Sequence, residues 1–349
     1  MAPRFRLLAI FAALAMLVGG GSADGAGIAR SQRLSRFATS SPHFRFFSPT
    51  SPWNRSLGPE AALDPASAQL VSHLKDQVAE EQADASGPWI STTSYSVPIY
   101  TVGPDQPSVR VALTSPVFSP ALQSAFEAVP LPAGAEPSGG SDGHLVVWQP
   151  SSDRLWEFWR LARTGEGPQA SWGGAMRDVS EDPGVYGPEA WPDAEPWWGA
   201  SASSLSIAGG LITLEDLRAG QINHALALAL PQIRAGVYAS PARRTDGKSS
   251  DPLSLPEGAH LRLDPNLDIA SLRLPPLTRM IAEAAQRYGL FVRDGSSVVQ
   301  LFAQDPVTAP HNPYTGPGGY FEGLYPNQLL ASFPWGRLEV LRMALHPDR

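Results

Sequence analysis

Apolar and polar positions along the chain change places in short runs, most of them with the two-residue period of a β-strand. Residues 96–102, 108–113, 144–149, 154–161 and 170–172 are predicted strands, as are 236–240, 260–263, 290–294 and 298–303. The runs 144–149 and 154–161 flank a Pro-Ser-Ser-Asp turn and predict a β-hairpin. In its second arm Leu155, Glu157 and Trp159 share one face, and Trp156, Phe158 and Arg160 the other. Polar and aromatic residues on both faces suit a sheet packed on two sides or the wall of a groove. A second hairpin is predicted across Asp294 and Gly295. Helical spacing is rarer. Leu70, Val71, Leu74 and Val78 predict a helix within 64–81, and Met280, Ile281 and Ala284 predict another over 276–288, between Pro276 and Gly289. Thr213, three residues before Asp216, reads as a capping box at the head of 212–219, and 223–230 fits a strand or a helix.

Proline (35) and glycine (32) make up nearly a fifth of the 349 residues, so many short elements joined by turns are expected. No repeat of propeller or solenoid length is found. The fold expected is α+β, mainly β: a single β-sandwich or jelly-roll-like domain over 51–349, with two or three helices at its edge. Ahead of it, Arg4 and Arg6, the apolar run 7–18 and the small residues 19–26 have the order of an export signal. The run is too short to span a membrane, so 1–26 is read as a cleaved signal peptide, with a cut near Ala23, and 27–50 as a flexible tether. The protein is therefore expected outside the cytoplasm, with no stable membrane anchor after cleavage.

With no cysteine, disulfides, thiolate metal sites and a cysteine nucleophile are excluded. The chain carries 26 basic and 33 acidic residues, a formal charge of −7. Removal of residues 1–23 takes away Arg4 and Arg6 and no acid, which deepens the charge to −9. Nucleic acid and anionic membranes are recognised through basic patches, so neither is an expected partner.

Five strings, 155–159 (Leu-Trp-Glu-Phe-Trp), 209–220, 223–231, 244–247 (Arg-Thr-Asp-Gly) and 274–280, resemble a family of secreted proteins from actinobacteria and related soil bacteria. The resemblance runs from about Ser51 to Leu345. It implies an extracytoplasmic setting and supplies no catalytic residues.

Chemistry must then be sought in the residues themselves. Seven tryptophans fall between Trp148 and Trp198, and indole faces stack on sugar rings as readily as they fill cores. The expected partner is a polysaccharide or cell-wall glycan, and the expected reaction is glycosidic cleavage by a pair of carboxylates. The acids selected are Glu157, Asp246 and Glu257. Glu157 sits among four apolar residues and must be partnered or have its pKa raised if its strand is buried, whereas Asp246 and Glu257 each stand in turn-like sequence. The expected glycan contacts are His144, Trp191, Trp197, Trp198, His224, Tyr238, Arg243, Arg244 and Lys248. A non-catalytic glycan-binding or envelope protein would use the same aromatics. A polysaccharide lyase would instead bring His224, Tyr238 and Arg244 to one pocket. No cofactor is implied, and no metal site: His260 with Asp264, or Asp142 with His144, offers two ligands only. Serine-hydrolase elbows, phosphate loops and zincin motifs are missing from the sequence. Oligomeric state is left open.

Overall fold

The computed structural model describes residues 45–114 and 119–348. The chain divides into two units, Met1–Pro42 and His43–Arg349, and the described residues all belong to the second. The expected signal peptide and the tether up to residue 44 lie outside them. The last residues assigned to the tether are packed instead: Phe46, Phe47 and Ser48 are buried, and the Asn54 amide donates to all three of their carbonyls. Two consecutive phenylalanines supply enough apolar area to order a segment whose Ser- and Arg-rich approach carries no periodic signal.

In chain order the strands are β1 (Trp89–Ser91), β2 (Ile99–Thr101), β3 (Ala112–Leu113), β4 (Leu145–Gln149), β5 (Arg154–Trp159), β6 (Ala162–Thr164), β7 (Gly167–Ala170), β8 (Trp172–Arg177), β9 (Leu226–Leu230), β10 (Val237–Ala239), β11 (His260–Leu263), β12 (Leu290–Gly295), β13 (Gln300–Phe302), β14 (Leu338–Val340) and β15 (Leu345–Pro347). The α-helices are α1 (Ser67–Ala83), α2 (Pro120–Ala125), α3 (Leu214–Ala219), α4 (Pro276–Arg287) and α5 (Pro326–Leu329). The class is α+β and mainly β. A six-stranded sheet runs β1-β13-β9-β12-β11-β14 and a four-stranded sheet runs β2-β4-β5-β8, with smaller sheets β3-β7-β6 and β10-β15. Both large sheets are mixed, since β1·β13, β9·β12 and β2·β4 are parallel pairs.

Strand β9 explains the layering. Its Leu-Ala-Leu-Ala-Leu sequence is buried on both faces, as expected of a strand covered on two sides. Leu226, Leu228 and Leu230 join the cluster that holds the buried faces of α1 and α4. Ala227 and Ala229 join the other cluster, with Phe291 and Phe302 of the neighbouring strands and the side chains of β4, β5 and β8. Leucine therefore meets helices on one face, and alanine leaves room for bulkier neighbours on the other. The β4–β5 hairpin forms with Glu157 opposite Val146, as its pattern predicts. The hairpin predicted across Asp294 and Gly295 does not form: β9 lies between β12 and β13, parallel to one and antiparallel to the other. A register shift between Val292 and Asp294 lifts the chain off its partner there. The fully apolar β9 takes the central position because both of its faces need cover.

Candidate active site

Between Trp198 and Leu211 the chain carries small residues, serine and two larger aliphatics, and it threads the interior as a loop. Ser201, Ser203, Ser204, Ser206, Leu205 and Ile207 are all buried there. Such a loop needs partners for its backbone groups, and three charged side chains, two buried and one half-buried, supply them. Glu157 on β5, fully buried, accepts from the Ala200 N–H (2.8 Å), the Ser206 hydroxyl (2.6 Å) and the Ile207 N–H (3.0 Å). Burial raises its pKa, and these hydrogen bonds oppose the rise. Tyr186 faces the same carboxylate and is packed over Gly174, where an added Cβ would stand 2.4 Å from its ring. Arg293 on β12, also fully buried, donates to the Ile207 and Gly209 carbonyls (3.1 Å each) and lies 4.0 Å over the Phe302 ring. Burial lowers its pKa to about 10 against the pull of Asp294 and Glu157. Arg244 donates to the Ser204 hydroxyl (2.8 Å) and to the carbonyls of Gly199 (3.2 Å) and Ser201 (2.7 Å).

The outer surface of that loop is the floor of a cleft of about 470 Å³. Trp159, Trp172 and Trp197 line it with Asp142, His144, Arg244, Asp246 and Asp294. A further cavity of about 220 Å³ shares Asp142, His144 and Asp294 and continues past Tyr95 and Gln300. Asp294 carries the most informative electrostatics of the group. Burial pushes its pKa to about 7; Arg293 opposes the rise, and Asp246 and Asp142 add to it. Asp246 stands close by, for a Cβ on Gly295 would lie 3.8 Å from its Oδ1. Beneath it, the fully buried Glu257 accepts from the Asp246 N–H (3.2 Å), and its other oxygen has no partner. Burial, together with the charges of Asp294 and Asp246, holds that carboxyl well above the usual carboxylate range. His144 is buried, with Nε2–H donating to the Ala200 carbonyl (3.2 Å) and Nδ1 unpartnered. Burial lowers its pKa to about 4, so the ring is neutral and Nδ1 is an acceptor.

Of the residues selected from the sequence, Asp246, His144, Arg244 and Trp197 meet in this cleft. Glu157 and Glu257 lie behind it and organise its floor. His224 is buried elsewhere, against Asp216 (3.1 Å) and the Ala225 carbonyl (2.8 Å). Tyr238 stacks on His346 (5.5 Å) where β10 meets β15. Trp191 packs edge-on to Trp156 (6.0 Å), and the fully buried Trp198 donates to Glu195 (3.3 Å). Arg243 and Lys248 are exposed and do not line the cleft. Asp294, Trp159 and Trp172 were not selected. Arg293 and Asp294, adjacent charges closing an otherwise apolar strand, are the signal that marks the first of these. Among the described residues no group of three or more His, Asp or Glu is placed to hold a metal. Comparison with protein families, with curated proteins and with solved structures finds no match to this chain.

Proposed function

We propose that the protein is an extracytoplasmic carbohydrate-active enzyme that cleaves glycosidic bonds, with Asp294 as proton donor and Asp246 as the second carboxylate. The observation that carries this reading is a carboxyl group with a pKa near 7, beside another carboxylate, in a cleft lined by three tryptophans. A general acid must keep its proton at working pH, and burial among negative charges does that for Asp294. The indole faces offer stacking surfaces for sugar rings. Export, and kinship with the secreted family resembled by strings 155–159 and 244–247, belong to the same proposal. So does the view of the two large sheets, which share one core cluster, as leaves of a sandwich-like frame; their parallel pairs depart from jelly-roll connectivity.

The lyase reading loses its support, because His224 and Tyr238 are engaged away from the cleft and Arg244 spends its donors on the floor. Incubation of the protein with a panel of polysaccharides, followed by reducing ends, tests the proposal. Asp294→Asn and Asp246→Asn are each expected to lower release by about 100-fold or more. Activity that depends on protonated Asp294 should fall as pH rises through about 7. Binding without release would leave a glycan-binding protein.

A further inference from the structure

The cleft is rich in acceptors and poor in free donors. Its Asp142 and Asp246 carboxylates accept hydrogen bonds, and Asp294, which holds the proton used in cleavage, keeps one oxygen as an acceptor. Its donors are turned inward. Trp159 Nε1–H is directed at Asp142 (3.4 Å), and Trp172 Nε1–H at the Trp197 carbonyl (3.3 Å). On the floor, the Ala200 N–H serves Glu157 and the Ala202 N–H points at Asp294 (3.5 Å). The Ser201 hydroxyl donates to the Leu205 carbonyl (2.6 Å), and Arg244, the one cation among the lining residues, makes three bonds to the loop beneath. A ligand that fits brings donors and positive charge. A uronate, which adds a negative charge, would find no free cation among these groups and no free donor but the Asp294 proton that cleavage uses.

Resting on the glycan-cleaving reading of the same cleft, we infer that the substrate is a cationic amino glycan, a polymer with free hexosamine ammonium groups. Each ammonium offers three donors to the Asp142 and Asp246 carboxylates, and the apolar faces of its sugar rings lie on the tryptophans. A tryptophan face also attracts the ammonium charge itself.

Calorimetric titration of the protein at about pH 6, where such amines are protonated, compares four hexasaccharides: glucosamine, N-acetylglucosamine, glucose and galacturonate. The glucosamine oligomer is expected to bind about 10-fold or more tightly than the other three, a gap of about 1.4 kcal/mol. That preference should shrink in about 0.5 M salt, where charge interactions are screened within a few ångströms. Asp142→Asn should lower affinity for the glucosamine oligomer several-fold and leave the glucose oligomer unchanged. Its far-ultraviolet dichroism reports the fold, and Glu166→Gln, in the exposed turn between β6 and β7, is a charge-matched control that should change nothing. Equal or tighter binding of the acetylated, neutral or uronate oligomer overturns the amino-glycan inference and leaves glycan cleavage standing. If a folded protein neither binds nor cleaves any of the four, glycan recognition itself fails and this inference with it.

Discussion

Glu157 and its neighbour Leu155 on β5 are equally inaccessible to solvent, and only the donors around Glu157 make that tolerable. Two N–H groups and a hydroxyl converge on one carboxylate, so its oxygens are acceptors that a neutral amide cannot fully replace. Glu157→Gln keeps the volume but points an NH₂ at groups that are themselves donors. It is expected to destabilise the fold by about 2–3 kcal/mol, seen as a lower urea midpoint at unchanged slope. Asp246→Asn alters a solvent-facing carboxylate and should stay within about 0.5 kcal/mol. An unchanged midpoint for Glu157→Gln would remove the floor-organising role assigned to this residue. The contrast separates two kinds of acid that share a turn- or aromatic-rich sequence setting: those that build the cleft and those that face it.

Helix α3 is only six residues long, and its start is fixed by side chains rather than by length. Thr213 Oγ accepts from the Asp216 N–H (3.1 Å), Asp216 accepts from the Thr213 N–H (2.8 Å), and His224 Nε2 closes on the same carboxylate (3.1 Å). Burial opposes both charges, yet each partner outweighs it: Asp216 has a lowered pKa and His224 a raised one. The raised His224 pKa contributes stability that is full below about 6.5 and is lost as pH rises through its folded value; the lowered Asp216 pKa contributes stability that is lost as pH falls through its own. Asp216→Asn is therefore expected to cost about 3 kcal/mol near pH 6, and the gap to the parent should narrow at high pH, as read by urea titration across that range. A gap that widens with rising pH contradicts the pairing. The capping box was legible as Thr213 and Asp216 at the right spacing, and α1 and α4 were legible from their apolar periods. What the local pattern could not carry was partnership at a distance. The place of β9 between β12 and β13 depends on covering both of its faces, and the role of the Ser-rich loop 199–209 depends on Glu157, Arg244 and Arg293, which lie about 35 to 95 residues away in sequence. Asp294, near the end of the interior strand β12, is a site residue only because that loop folds against it.

Across the whole molecule, burial has shifted several groups in ways that sum to a pH dependence of stability. Glu81 and Asp294 are pushed up to about 7 and Asp182 to about 6, with burial the main cause in each, while His144 and His260 are pushed down to about 4 by burial. Unfolded, these acids would titrate near 4 and the histidines near 6.5. Between about pH 5 and 7 the folded chain therefore holds protons on the acids that the unfolded chain releases, and the unfolded chain holds protons on two histidines that the folded chain refuses. These three acids against two histidines leave the folded state with roughly one extra proton, and the raised pKa values of Glu157, Glu257, Asp305 and His224 add in the same direction. Each such proton changes stability by about 1.4 kcal/mol per pH unit, with the folded state favoured as pH falls. The melting temperature measured by calorimetry is expected to rise as pH is lowered from about 8 to about 5. Glu81→Gln should flatten the trend, because it removes the proton held where that carboxyl accepts the Val299 N–H (2.8 Å). A melting temperature that instead falls steadily over the same interval would mean that the two buried histidines outweigh the acids.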